Sequence, residues 1–207
     1  MKDRFQDIYR NNSWSCPECK SGWGSTLENT KSIRSQLPLI LKKYGIQSIV
    51  DCPCGSFEWF HEMLPRLNIT HYYGCDIVPE LIDLNKRLYK DPRVIEEFLI
   101  KDLTVDEIPN CDLLFVRDCF VHLPYELIQK ALNNLRNQKN NIKYLMTTSF
   151  TSRVFNTDIK LGDWRPINLL IEPFNLRNPL DIIKEGCEES NGIYQDKSLI
   201  LFKMEDL

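Results

Sequence analysis

Residues 48–64 read SIVDCPCGSFEWFHEML, and this stretch decides the fold class. SIVDC is a short β-like run that ends on Asp51, the residues around Gly55 have the composition of a tight turn, and SFEWFHEML carries a helical pattern. The same order recurs downstream: HYYGCDI (71–77) then PELIDLNKRLY (79–89); RVIEEFLIKDL (93–103); DLLFVRD (112–118) then PYELIQKALNNLRNQ (124–138); and IKYLMTTSF (142–150). Strands alternating with helices imply an α/β fold with a parallel sheet and crossover helices. Pro79 and Pro124 head two of the helical patterns, where a missing N–H costs nothing.

Upstream, Ile33, Leu37, Ile40 and Leu41 recur at helical spacing as far as Gly45, a C-terminal stop, with Pro38 expected to kink the helix. Downstream, TSRVFNTDIKLGDWRPINLL (151–170) is polar and aromatic. Two strands are expected after it, near 180–187 and in SLILFKM (198–204), as an antiparallel hairpin. No repeat or Gly/Ser/Pro-rich linker divides the chain. The expected organisation is one domain, an arm and helix over 1–45 and a core over 46–207.

The 207 residues include 43% hydrophobic and 11% aromatic side chains, ample for a buried core. Lys plus Arg number 26 against 29 Asp plus Glu, a net charge of -3, which gives no overall attraction for nucleic acid or an anionic membrane. The first fifty residues run the other way, with eight basic and four acidic side chains. The opening MKDRFQDIYRNNS is charged where a signal peptide needs an apolar run, and no apolar stretch approaches the roughly 18 residues of a membrane span, so a cytoplasmic location is expected. The eight cysteines should then be mostly free thiols. Cys16 and Cys19 have metal-ligand spacing but no second pair to complete a zinc site, and read as a turn with two ordinary thiols; no metal is expected.

Ligands of open α/β sheets bind at the carboxyl ends of the strands. The first strand ends on Asp51, with Gly55 allowing close backbone approach. The second ends on Asp76, whose carboxylate can accept both hydrogen bonds of a ribose diol. The third ends Lys101-Asp102-Leu103, able to hold an adenine amino group and ring face, and the fourth ends Arg117-Asp118. A dinucleotide needs closely spaced glycines so that a helix N-terminus can receive its pyrophosphate. One glycine suits a cofactor without phosphates.

These residues resemble the class I S-adenosylmethionine-dependent methyltransferases from about residue 46 to the C-terminus. SGWGSTLENT (21–30), DCPCGSF (51–57), RDCFVHL (117–123), GDWRPINL (162–169), EGCEE (185–189) and YQDKSL (194–199) are similar, in that order, to a small bacterial branch associated with surface-glycan and capsule genes. The resemblance implies a Rossmann-like seven-stranded sheet: five parallel strands, then an antiparallel hairpin, with helices on both faces. S-adenosylmethionine would lie across strands one to four, with S-adenosylhomocysteine as product. Carried over, Asp51, Cys54 and Gly55 would line its methionine side, Asp76 with Ile77 its ribose, and Asp102 and Leu103 its adenine. Arg117 and Asp118 would floor the space between cofactor and acceptor, while Trp23, Ser25 and Thr26 close the site. The family's glycines are replaced by Pro53 and Phe57, so the turn must be built differently.

A hydroxyl acceptor must lose its proton as it is methylated. His122 is the candidate base, with Asp118 to orient it or contact substrate. Against this, Asp118 can equally cap the following helix and His122 can pack beside Leu123 and Pro124. His61 and His71 are weaker candidates. The fourth strand lacks the Asn/Asp-Pro-Pro-Tyr/Phe-like run of amino-directed nucleic-acid methyltransferases, which disfavours that substrate. Arg153, Lys160, Asp163, Trp164, Arg165 and Asn168 make the 151–170 segment a candidate acceptor lid, the arginines suiting phosphate or carboxylate and Trp164 a sugar or ring face. The competing view makes Trp164 a core anchor and the arginines surface ion pairs. The expected function is O-methylation of a small polar or anionic molecule, on the branch analogy a sugar nucleotide or a phosphorylated or phosphoramidate capsule precursor. An RNA or protein methyltransferase, and a non-catalytic cofactor-binding partner of another methyltransferase, are the alternatives.

Overall fold

The structure is a computed structural model that describes residues 1–91, 93–186 and 192–207, the Glu96 side chain excepted. The last three residues of EGCEE, Cys187 among them, lie outside the described residues, as does part of the connection expected inside the hairpin.

Seven strands form one sheet: β1 (Ser48–Asp51), β2 (His71–Asp76), β3 (Ile95–Ile100), β4 (Cys111–Val116), β5 (Ile142–Phe150), β6 (Asp181–Lys184) and β7 (Lys197–Lys203), in the order β3-β2-β1-β4-β5-β7-β6. The first five are parallel, and β7 runs antiparallel to both β5 and β6. The expected Rossmann-like sheet with its antiparallel hairpin is therefore present. The order steps outward from β1 through β2 to β3, then returns to β4 on the other side. That reversal opens a crevice at the carboxyl ends of β1 and β4, where ligands of open sheets bind.

The helices are α1 (Lys2–Arg10), α2 (Lys31–Lys43), α3 (Glu58–Met63), α4 (Pro79–Leu88) and α5 (Tyr125–Asn137). Successive strand residues face opposite layers, as a period of two requires. Ile49, Leu113, Phe115, Met146, Leu199 and Leu201 pack with Ile33, Leu37, Leu41, Phe60, Met63 and Ile82 of α2, α3 and α4. Val50, Leu114, Val116, Leu145, Ile200 and Phe202 pack on the other side with Ile128, Ala131, Leu132 and Leu135 of α5. Each fully buried side chain of this size contributes about 1.5–3 kcal/mol.

Gly45 ends α2 as expected: its φ of 62° lets its N–H reach the Lys42 carbonyl, and Ile46 N–H that of Leu41. The helix continues through Pro38 from Lys31 to Lys43. The N-terminal arm contains more structure than expected, because it begins with α1. That helix buries Ile8 and is held from outside by Gln6 and Arg10 on Glu80 and by Arg4 on the Leu161 carbonyl. Among the described residues no helix is long and apolar enough to cross a membrane.

Candidate active site

The carboxyl ends of β1 to β4 open into a cavity of about 1060 Å3, counting the open space at its mouth. Its walls bring together most of the residues singled out at the strand ends: Asp51, Cys54, Gly55, Asp76, Ile77, Asp102, Leu103, Arg117, Asp118 and His122. Met1, Phe5, Tyr9, Trp14 and Ser25 of the N-terminal segment complete it.

The first turn is built without the usual glycines. The Cys52–Pro53 peptide is cis, and Phe57 takes a φ of 64°, a left-handed conformation unusual for a bulky side chain. Phe57 is fully buried against Phe60, Tyr72, Tyr89 and Phe98, and this packing holds it there. Gly55 has a φ of 54°, and a Cβ on it would lie 2.6 Å from Ser21 Oγ. Ser21 Oγ also accepts the Ser56 N–H at 2.7 Å, so the arm is clamped directly onto the turn.

Asp51 is buried and accepts a hydrogen bond from Tyr72 Oη at 2.9 Å, while its Oδ1 has no partner. Burial pushes its pKa up to about 8, although the Tyr72 bond opposes the shift. Asp76 accepts the Gly55 and Val78 N–H groups, and burial raises its pKa to about 6 against those bonds. Asp102 Oδ1 accepts from Thr104 N–H and Oγ1. Cys54 Sγ lies beside Asn85 at 3.7 Å, and the Asn85 amide also donates to the Gly55 carbonyl.

At the end of β4 the charges form a buried network. Arg117 contacts Glu185 at 2.8 Å, Asp118 at 3.3 Å and the Gly24 carbonyl at 2.8 Å. Lys197, at the start of β7, contacts Asp118 at 2.7 Å and Glu185 at 3.3 Å. Burial raises the Asp118 carboxyl, but Arg117 and Lys197 outweigh it and hold Asp118 ionised well below the ordinary carboxylate range. Neither Glu185 nor Lys197 stood out in the sequence as a site residue. They come from the hairpin, and only the strand order β4-β5-β7 brings them beside Asp118.

His122 lies on the short 3-10 turn Phe120–His122. Its Nδ1 is 2.9 Å from the Asp163 carbonyl oxygen, which can only accept, so Nδ1 carries the proton and Nε2 keeps its lone pair. The group that orients the imidazole is thus the Asp163 backbone, whereas Asp118 is bonded to Lys197 and Thr148. Trp14 stacks on the imidazole with centroids 4.7 Å apart. Burial lowers the His122 pKa below 6.5, opposed by the Asp163 bond and the Asp118 charge.

A second cavity of about 720 Å3, its mouth included, adjoins the first. Trp14, Ser21, Asp118 and His122 border both, and Trp23, Trp164, Tyr194 and Lys197 line only the second. The remaining 151–170 residues lie elsewhere. Arg165 is buried and donates to the carbonyls of Phe120, Leu123 and Thr157, burial lowering its pKa to about 10. Arg153 pairs with Asp196. Asn168 bonds the Arg153 carbonyl and Asn156, and Thr26 Oγ1 accepts the Asn29 N–H; neither lines either of these two cavities. Cys16 and Cys19 are buried with sulfurs 3.7 Å apart, and burial pushes the Cys19 thiol to about 12. Among the described residues no group of three or more His, Cys, Asp or Glu could hold a metal ion.

With this geometry in view, comparison with solved structures identifies the architecture. N-methyltransferase NodS from Bradyrhizobium japonicum, solved with S-adenosylhomocysteine, superposes with a TM-score of 0.63 over 95% of this chain and 97% of its own, at 13% identity. The fold is that of the S-adenosylmethionine-dependent methyltransferases. Human N-acetylserotonin methyltransferase, solved with S-adenosylmethionine, gives a TM-score of 0.64 at 15% identity, covering 97% of this chain and 59% of the human one. An S-adenosylmethionine-dependent methyltransferase from Clostridium acetobutylicum gives 0.59 at 12% identity, over 84% of this chain and 91% of its own. No family model and no curated protein matches the sequence. The methyltransferase fold thus reaches this chain through backbone geometry, with little sequence identity.

Proposed function

We propose that the chain is an S-adenosylmethionine-dependent O-methyltransferase of a small polar molecule. The observation that carries this reading is the shared wall: a neutral imidazole, His122, borders both the strand-end cavity and a second cavity that adjoins it.

The residues present fit the cofactor. The unpartnered Asp51 Oδ1 is a buried acceptor that suits an ammonium group. Asp76, with lone pairs beyond those its backbone donors use, suits a ribose diol, and Asp102 with Leu103 suits an adenine edge and face. When bound, S-adenosylmethionine supplies a methyl carbon on a sulfonium: the acceptor O–C bond forms as the C–S bond breaks, and sulfur keeps the electron pair as a neutral thioether.

This chain's own part is proton removal, orientation and exclusion of water. His122 Nε2 takes the acceptor hydroxyl proton, the Asp163 carbonyl fixes the tautomer, and Asp118 steadies the imidazolium that results. Met1, Phe5, Tyr9 and Trp14 cover the cavity and keep it dry, so that positioning can lower the barrier to in-line transfer. The resemblance to surface-glycan-associated proteins makes sugars and their glycan precursors the first acceptors to screen.

Calorimetric titration with S-adenosylmethionine and S-adenosylhomocysteine tests the reading. One-site saturable binding that Asp76→Ala weakens is the expected result. A folded chain that binds neither compound, or an Asp76→Ala variant with unchanged affinity, refutes it.

A further inference from the structure

The second cavity carries information about the acceptor, on the premise that the chain is the O-methyltransferase proposed above. Its wall is aromatic: Trp14, Trp23, Phe150, Trp164 and Tyr194 all contribute. Trp23 is 51% exposed and Trp164 43%, although burying an indole is among the largest apolar gains available to a fold. Trp164 is nonetheless held firmly. It meets Phe150 edge-on at 5.9 Å and Tyr194 at 5.0 Å, so it is a fixed platform rather than a loose surface side chain.

The charge on this wall is already balanced. Lys197 is the one cation lining the cavity among the described residues, and it is paired with both Asp118 and Glu185. Arg117 lies behind it, paired with the same two carboxylates. Arg153 and Arg165, the arginines that a phosphate would seek, are engaged by Asp196 and by backbone carbonyls and do not line the cavity. A phosphate of about −1.5 to −2 charge would enter beside an ionised Asp118 with no unpaired cation to meet it. A hydroxyl fits better, since Ser21, the neutral His122 and the remaining Lys197 N–H offer donors and acceptors without requiring charge.

We infer that the second cavity takes an uncharged, hydroxyl-bearing ring, laid against the Trp23 and Trp164 platform with a hydroxyl at His122 and no phosphate in the cavity. The ring is recognised through its flat face and its hydroxyls, a chemistry that saturated pyranosides and phenols share.

The test uses the full chain saturated with S-adenosylhomocysteine and follows tryptophan fluorescence. The probes are methyl pyranosides, the phenols 4-methylphenol and methyl 4-hydroxybenzoate, and phosphorylated counterparts that keep a free hydroxyl, glucose 6-phosphate and 4-hydroxyphenyl phosphate. At least one uncharged ring is expected to bind saturably, with its phosphorylated counterpart weaker by about tenfold or more, and the pyranoside and phenol arms separate the two sources. Trp164→Ala is expected to weaken that ring by about tenfold and to leave S-adenosylhomocysteine affinity unchanged. A phosphorylated probe that binds more tightly than its parent, an unaffected Trp164→Ala variant, or no ring binding at all overturns the inference. If S-adenosylhomocysteine itself fails to bind, the methyltransferase reading falls and this inference with it. Cofactor binding without ring binding refutes the inference alone.

Discussion

Trp14 lies stacked on His122, ring centroids 4.7 Å apart and planes 29° from parallel. One comes from the N-terminal arm and the other from the segment after β4, so the arm itself dehydrates the candidate base. Dehydration disfavours the imidazolium, which is why the His122 pKa is lowered below 6.5 even though the Asp163 carbonyl and Asp118 pull the other way.

Trp14→Ala should therefore raise the His122 pKa toward 6.5, read from the imidazole carbon-bound protons by NMR titration. The groups facing the ring bear on the same shift: Asp118 raises the pKa, and Lys197 and Arg165 lower it. Because the folded pKa is depressed, the unfolded chain binds the proton first as pH falls. The stability this group contributes is present above 6.5 and is lost as pH drops through the folded value. An unchanged His122 titration in the variant would show that Trp14 does not shield the ring.

His122→Asn should lower methyl transfer by about 100-fold to 10,000-fold, the range for loss of a general base, while cofactor affinity stays at its original value. In the unaltered chain the rate should fall on the acid side below pH 6.5, where the imidazole begins to protonate. Equal turnover in variant and parent would remove His122 from the chemistry.

Asp51 is protonated at neutral pH in the open cavity, with its pKa raised to about 8 by burial. An ammonium group at Oδ1 stabilises the ionised form, so cofactor binding at pH 7 should release up to about one proton. Calorimetry in two buffers of different ionisation enthalpy measures this directly, and Asp51→Asn should abolish the release and weaken binding by about 1.5–3 kcal/mol. The sign for stability follows from the raised pKa. The folded chain keeps a proton that the unfolded chain loses above 3.8, so this contribution is complete below 3.8 and disappears as pH rises to about 8.

Glu185 is buried between Arg117 and Lys197, and removing it leaves two cations facing one Asp118. Glu185→Ala should destabilise the chain by about 3–5 kcal/mol in denaturant unfolding, the scale for breaking a buried ion pair. A loss within the range of a surface pair, below about 1 kcal/mol, would show that the network is solvated.

The strand-end half of the candidate site was legible in the sequence for a definite reason. Asp51, Asp76, Asp102 and Arg117 each stand at the end of an apolar strand, and any parallel sheet brings such ends to one edge. The second cavity was much less so. Arg165 and Trp164 are adjacent and equally suited to binding, yet Arg165 turns inward onto three carbonyls while Trp164 faces the cavity. Nothing local separates the two, because the carbonyls that hold Arg165 belong to the turn after β4 and to Thr157.

The order of apolar runs, turns and prolines determined the α/β alternation, the parallel sheet and the strand ends that carry the carboxylates, since side-chain periodicity is a property of neighbouring residues. Only the tertiary structure decided that α1 and Trp14 cover the site, that Lys197 and Glu185 neutralise Arg117 and Asp118, and that the Asp163 backbone sets the His122 tautomer. A buried polar group takes its partner from whichever segment the fold brings within about 3 Å, and that choice is written in the packing of distant strands rather than in the residues on either side.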